Sequence, residues 1–217
     1  MLGIVGITSN KQVTSSIINS LRKLEYRGYD SAGLCLETDD SNFEILKSSN
    51  SNYPVDVLSK SLEKSKISSN AGIGHTRWAT HGPINNINTH PHFSYSKNIS
   101  IVHNGIVENY DFLSKFLIRK GVNIFSQTDS ELIAHLVDLM LCSKGNLQSA
   151  IFSVSNMLEG SNTVALMSKE IPQTIFGFTT NSSGGLVVGE KNNYRFLSSD
   201  SYALENFCDS VSFTGKD

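Results

Sequence analysis

Five short segments concentrate glycine, histidine, asparagine and arginine in combinations that ordinary packing would not ask for. They are EYRGYDSAG at 25–33, GHTRWATHG at 74–82, NTHPH at 88–92, VHNGIVEN at 102–109 and SQTDSE at 126–131. Arg77 stands beside Trp78, the one tryptophan of the chain. A planar guanidinium can hold a carboxylate through two parallel N–H bonds, with the indole as wall or lid, although an arginine in this setting can equally be a buried structural residue. Asn104 and Gly105 follow an apolar run, so a side-chain amide and a backbone N–H would lie side by side, the pair an oxyanion hole requires. An isolated Asn-Gly also makes a tight hairpin turn. Asp129 suits either a cap on a helix starting at Ser130, with Glu131 in its first turn, or a counter-ion for a ligand ammonium.

Six histidines are present, and His75, His81, His90, His92 and His103 crowd one stretch of the chain. No carboxylate or cysteine completes a metal-ligand spacing among them, and a His-Pro-His loop is more simply a hydrogen-bonded turn around a rigid proline, so no metal and no cofactor are expected. The three cysteines, Cys35, Cys142 and Cys208, are odd in number and show no CxxC spacing. That argues against a disulfide framework or a zinc site and fits a reducing cytoplasm.

The elements that must position these residues are legible from hydrophobic periodicity. GIVGIT at 3–8 reads as a buried strand. Val13, Ile17, Ile18, Leu21 and Leu24 recur at helical spacing, and Arg27-Gly28 reads as the C-cap that stops this helix. Strands are expected at 32–37, 43–47, 71–76 and 99–103, with a helix at 55–64 and a polar stretch at 81–98. Apolar stripes at i, i+3 and i+4 predict helices over 110–120, 130–143 and 147–158. Strands return at 162–168, 174–180, 186–189, 194–198 and 210–214. Strands, then helices, then strands predict an α+β domain spanning 1–217, with two sheets and helices packed on them.

A chain of 217 residues with 39% hydrophobic residues can build a full core without staples. Its 18 Lys+Arg against 20 Asp+Glu leave no basic face for a phosphate backbone, so nucleic acid is not an expected partner. The longest apolar stretch, LIAHLVDLMLC, is broken by His135 and Asp138 and falls short of the ~20 residues a membrane span needs. MLGIVGITSN lacks the basic start of a signal peptide.

Taken together, the segments LRKLEYRGYDSAG, HTRWATHG, NTHPH, VHNGIVEN and SQTDSELIAHL, continued by LVVG at 186–189 and SSDSYAL at 198–204, resemble the glutaminase domain of the glutamine–fructose-6-phosphate aminotransferase (isomerising), or glucosamine-6-phosphate synthase, family over essentially the whole chain. The resemblance implies an N-terminal-nucleophile (Ntn) hydrolase fold, a four-layer αββα sandwich with two mainly antiparallel sheets between helical layers. It implies glutamine as ligand, and a family reaction in which a cysteine exposed as the first residue attacks the glutamine amide, with its own α-amine as base, and supplies ammonia for amino-sugar synthesis. By position, Asn104 and Gly105 would form the oxyanion hole, Arg77 would hold the α-carboxylate and Asp129 the α-ammonium. Trp78, Thr80 and His81 would line the loop over the ligand.

The chain departs from the family at three places. The family begins Met-Cys-Gly, whereas Leu2 stands here at the nucleophile's position. A leucine there should also keep Met1, which displaces the α-amine by about 3.8 Å from where the base belongs. Glutaminase activity is therefore expected to be impaired or absent, with a glutamine-sensing, structural or regulatory module as the alternative. The family's sugar-isomerase subdomains, which bind fructose 6-phosphate, are not in this sequence, and such a partner would be supplied in cis or in trans. Last, KSSNSNYPVD at 47–56 replaces the family's usual Gly-Lys-Val segment.

Overall fold

Alternate residues of strand β1 (Gly3–Ser9) enter two different cores, as expected of a strand buried on both faces. Val5 and Ile7 pack with Ile17, Leu21 and Leu24 of helix α1 (Thr14–Leu24), whereas Ile4 packs with Ile73, Val102 and Ala165. In the computed structural model, residues 2–49, 51–78, 82–181, 184–205, 207–208 and 210–214 are described.

One sheet contains β1 with β2 (Ser31–Glu37), β3 (Phe43–Ser48), β4 (Ala71–Arg77), β9 (Leu186–Lys191), β10 (Tyr194–Ser198) and β11 (Val211–Thr214), in the order β11-β9-β10-β1-β4-β2-β3. The facing sheet contains β5 (His92–Phe93), β6 (Ile99–Gly105), β7 (Asn162–Ser168) and β8 (Ile175–Thr180), in that order. The recorded pairings are antiparallel throughout. Helices α1 and α2 (Pro54–Ser65) cover the first sheet, while α3 (Tyr110–Arg119), α4 (Ser130–Lys144) and α5 (Leu147–Met157) cover the second. The layers run helix, sheet, sheet, helix, the expected αββα sandwich, with one apolar core at each of the three layer boundaries.

Among the described residues the periodicity found every α-helix and all strands but one. The exception is β5, two residues inside the polar stretch, too short to show any period. Gly28 also differs from its reading as a helix cap. A 3₁₀ turn, Glu25–Arg27, follows α1, and Gly28 is extended, with φ −176°. Its requirement is space, since a Cβ there would lie 2.7 Å from the carbonyl carbon of Arg77.

Register across the first sheet explains where chemistry begins. Ile45, Cys35, Ile73 and Gly6 lie in one row, and the next row on the same inter-sheet face is Lys47, Gly33, His75 and Ile4. The layer between the sheets turns from apolar to polar within that single step.

Candidate functional site

Beyond Ile73, the inward positions of β4 are His75 and Arg77, both buried. Asn104 approaches them from the end of β6 on the facing sheet. Its Nδ2 donates to the main-chain carbonyl of Leu2 at 2.9 Å, and Arg27 Nε donates to the same oxygen at 3.1 Å. His75 Nε2 lies 3.0 Å from Asn104 Oδ1 and 3.1 Å from the carbonyl of His103. Both are acceptors, so Nε2 carries the hydrogen and His75 fixes which way the Asn104 amide faces. Burial pushes the His75 pKa down to about 3, which keeps the ring neutral.

Gly105 adopts φ +145°, and a Cβ at this position would lie 2.2 Å from the Ser161 carbonyl, so only glycine fits. Asn104-Gly105 therefore ends a central strand and is not a hairpin turn. The cleft outside it has a volume of about 480 Å³ and is lined by Leu2, Arg27, Trp78, Asn104, Gly105 and Glu108, among others.

Arg77 is buried, and the loss of water lowers its pKa while Asp30 and Asp129 act in the opposite sense. The guanidinium and the Asp129 carboxylate thus share one electrostatic environment. Asp129 precedes α4 but makes no side-chain cap. Instead its Oδ2 accepts the Val107 N–H at 2.7 Å and its Oδ1 the Ser130 hydroxyl at 3.3 Å, which ties the chain after Gly105 to the start of α4. Trp78 is half-exposed, with its ring 5.5 Å from that of Tyr29. Thr80 and His81 lie outside the described residues.

His90, His92 and His103 form a buried framework behind these groups. His90 stacks on His75 with ring centres 4.1 Å apart and meets His92 edge-on at 4.7 Å. His90 Nδ1 accepts the backbone N–H of His103. His103 bonds Ser130 Oγ and Asn162 Oδ1, each at 2.9 Å, and His92 Nε2 lies 3.1 Å from Thr128 Oγ1. Asn88 and Gln127 exchange two bonds, which laces NTHPH to SQTDSE. Among the described residues no group of three or more His, Cys, Asp or Glu is arranged to hold a metal ion. None of the three cysteines lines the cleft. Burial pushes the Cys35 thiol up to about 12.

Residues 75–206 match the model of the family described as a glutamine amidotransferase domain. The chain belongs to that family. This amidotransferase domain is 39% identical over 213 residues to a glutamine–fructose-6-phosphate aminotransferase (isomerizing) of Caldanaerobacter subterraneus subsp. tengcongensis, covering 98% of the chain and 34% of the relative. It is 40% identical over 207 residues to the enzyme of the same name from Clostridium acetobutylicum, covering 95% of the chain and 33% of the relative. The chain thus spans about a third of the length of these curated relatives and is an amidotransferase domain of their type. The fold is shared with the glutamine phosphoribosylpyrophosphate amidotransferase of B. subtilis solved with ADP and GMP, at TM-score 0.78 and 21% identity over 98% of this chain and 44% of that one. It is shared also with a solved structure of the allosteric regulatory enzyme of purine biosynthesis, at TM-score 0.80 and 22% identity over 98% of this chain and 44% of that one.

Sequence reasoning on the amidotransferase motifs missed three residues. His75 orients Asn104, Arg27 holds Leu2, and Asp200 pairs with Arg27 while accepting the Tyr26 hydroxyl and the Tyr202 N–H. Arg27 and Asp200 lie in EYRGYDSAG and SSDSYAL, so their motifs were visible. Their meeting needs β1 and β10 to pair, which no local pattern encodes.

Proposed function

We propose that this amidotransferase domain binds free glutamine in the cleft at Leu2 and does not hydrolyse it at a useful rate. The supporting observation is the 2.9 Å contact between Asn104 Nδ2 and the Leu2 carbonyl, which sets residue 2 against the amide proposed as an oxyanion donor. Leucine has no nucleophilic atom, and no cysteine of the chain lines the cleft to replace it. Loss of the nucleophile from a comparable covalent mechanism cost on the order of 10⁶ in turnover. Arg77 would take the α-carboxylate, Asp129 the α-ammonium, and Asn104 with the Gly105 N–H the developing oxyanion. Trp78, Thr80 and His81 would border the ligand. Residues 1–217 would serve as the glutamine domain for a sugar-isomerase partner that binds fructose 6-phosphate, in cis or in trans. The reducing cytoplasm belongs to the same reading, with Cys35 and Cys208 buried and the Cys35 thiol held protonated. Among the described residues no helix is long and apolar enough to cross a membrane.

Ammonia release from glutamine, measured for the chain and its Leu2→Cys variant with intact mass reporting Met1, tests the catalytic half. Turnover by the variant alone supports the reading, and turnover by the parent chain overturns it. Binding is tested by melting, because a ligand at 100 times its Kd adds about 2.7 kcal/mol. No shift at millimolar glutamine would leave a purely structural or regulatory module as the function.

A further inference from the structure

Strand β3 carries a charge where its pattern calls for an apolar side chain. Phe43 and Ile45 pack into the inter-sheet core, and Lys47 continues their face at the edge of the sheet, in the row of Gly33 and His75. Lys47 lines a cavity of about 270 Å³ whose walls share no residue with the cleft at Leu2. Pro91, His92, Phe125, Glu131 and His135 wall it, with Lys97 also contributing. Ile87 and Phe125 are exposed, so the cavity is open to small molecules.

The amine is only lightly held. Lys47 Nζ donates to the Asn86 carbonyl at 3.2 Å, and among the described residues no carboxylate lies within ion-pair distance of it. Glu131 in the same cavity is already engaged by the backbone N–H groups of Phe125 and Ser126 and by His135 Nε2. Burial works against its charge, yet these donors hold its pKa at about 2, so it is a fixed negative charge. His135 accepts the Tyr95 N–H on Nδ1, which places its hydrogen on Nε2, toward Glu131. The titratable groups around Lys47 are Glu131 and His135 on α4, His92 on β5, Cys35 on β2 and Lys97 in the turn after β5. Burial dominates and brings the ammonium down to about 8, against the opposing pull of the Glu131 carboxylate. A lysine in that range offers a substantial neutral fraction at physiological pH.

We propose that Lys47 is a reactive amine that captures small aldehydes bearing an anionic group, as a reversible imine inside this cavity with the anion toward Lys97. The ammonium first loses a proton to solvent. The nitrogen lone pair then attacks the carbonyl carbon and forms a C–N bond, and the carbonyl oxygen leaves as water with the two hydrogens of the neutral amine. Nothing is oxidised or reduced, and hydrolysis returns both reactants. This site is independent of glutamine binding.

The test is labelling of the folded chain with pyridoxal 5′-phosphate at pH 7.5, borohydride reduction and peptide mapping, with the N-terminal peptide scored separately. Lys47 should be modified at least about tenfold faster than the other lysines, since at pH 7.5 an amine of pKa about 8 is neutral on the order of 100 times more often than one at the ordinary value of about 10.4. The rate should rise with pH to a plateau past a midpoint near 8. Lys47→Arg should melt like the parent and lose only the fast phase. Pyridoxal without the phosphate should react more slowly in the parent and no differently in Lys97→Met. Uniform labelling, or Lys47 among the slow residues, would overturn the reactive amine. Equal rates for the two aldehydes in the parent would overturn the anionic ligand class.

Discussion

Asn104 and Leu2 are joined by a 2.9 Å hydrogen bond from the side-chain amide of one to the main-chain carbonyl of the other. Arg27 donates to the same carbonyl, so the backbone of residue 2 is held by groups that do not depend on its side chain. Leu2→Cys should therefore keep the parent melting temperature to within about 2 °C, as substitutions that leave the main interactions intact do. Asn104→Ala leaves a carbonyl with one donor fewer and should cost about 1–2 kcal/mol. Calorimetry on the two variants distinguishes a backbone anchor from a side-chain anchor. If Leu2→Cys lost as much as Asn104→Ala, the leucine side chain would be the anchor.

Arg77→Lys exchanges a planar fork for a point charge. Glutamine affinity should fall about 10- to 100-fold, the scale of one lost charge-assisted bond. Asp129→Asn retains an oxygen for the Val107 N–H but removes the charge, so affinity should fall similarly with little loss of stability. Calorimetric titration with glutamine checks both, and unchanged affinity in either variant removes that residue from the ligand site.

Acid should destabilise the domain earlier than carboxylate titration alone would. His75, His90, His92 and His103 are buried, and each has its pKa lowered first of all by that burial, His75 to about 3. The folded pKa lies below the unfolded value of about 6.5, so the unfolded chain binds the extra protons. Their contribution is fully present above pH 6.5 and is lost as pH falls toward the folded values, at about 1.4 kcal/mol per pH unit for each histidine. Urea titrations between pH 7.5 and pH 5 should show this slope. A flat profile would mean that the rings are protonated in the folded state.

Gly33→Ala should unfold or severely destabilise the chain. A Cβ there would sit 2.1 Å from the His90 carbonyl oxygen and 3.1 Å from that of Leu46, and neither backbone can yield easily. A loss of about 3 kcal/mol or more is expected, seen as a lower urea midpoint. An unchanged midpoint would show that the NTHPH segment can move off β2.

The layer order was legible because β1 and β7 are short β-branched runs, β2 and β4 are short buried runs bounded by polar residues, and α3, α4 and α5 carry clear apolar stripes. Two-residue β5 has no period to read, and Gly28 looked like a cap because its real constraint, the backbone of Arg77 at the end of β4, lies far along the chain. At the site, residue types and family resemblance picked out Arg77, Asn104, Gly105 and Asp129. They could not reveal that the Asp129 carboxylate reaches back to Val107 or that His75 sets the Asn104 amide, since both contacts cross between elements far apart in the chain.

The burial of Cys35 has a practical corollary. Its thiol is enclosed between the sheets and held in the protonated form, Cys208 is also covered, and Cys142 alone among the three is open on α4. A chromogenic disulfide reagent added to the native parent should thus count one sulfhydryl quickly. In the Leu2→Cys variant it should count two, which gives the fraction of intact active-site thiol before any assay begins.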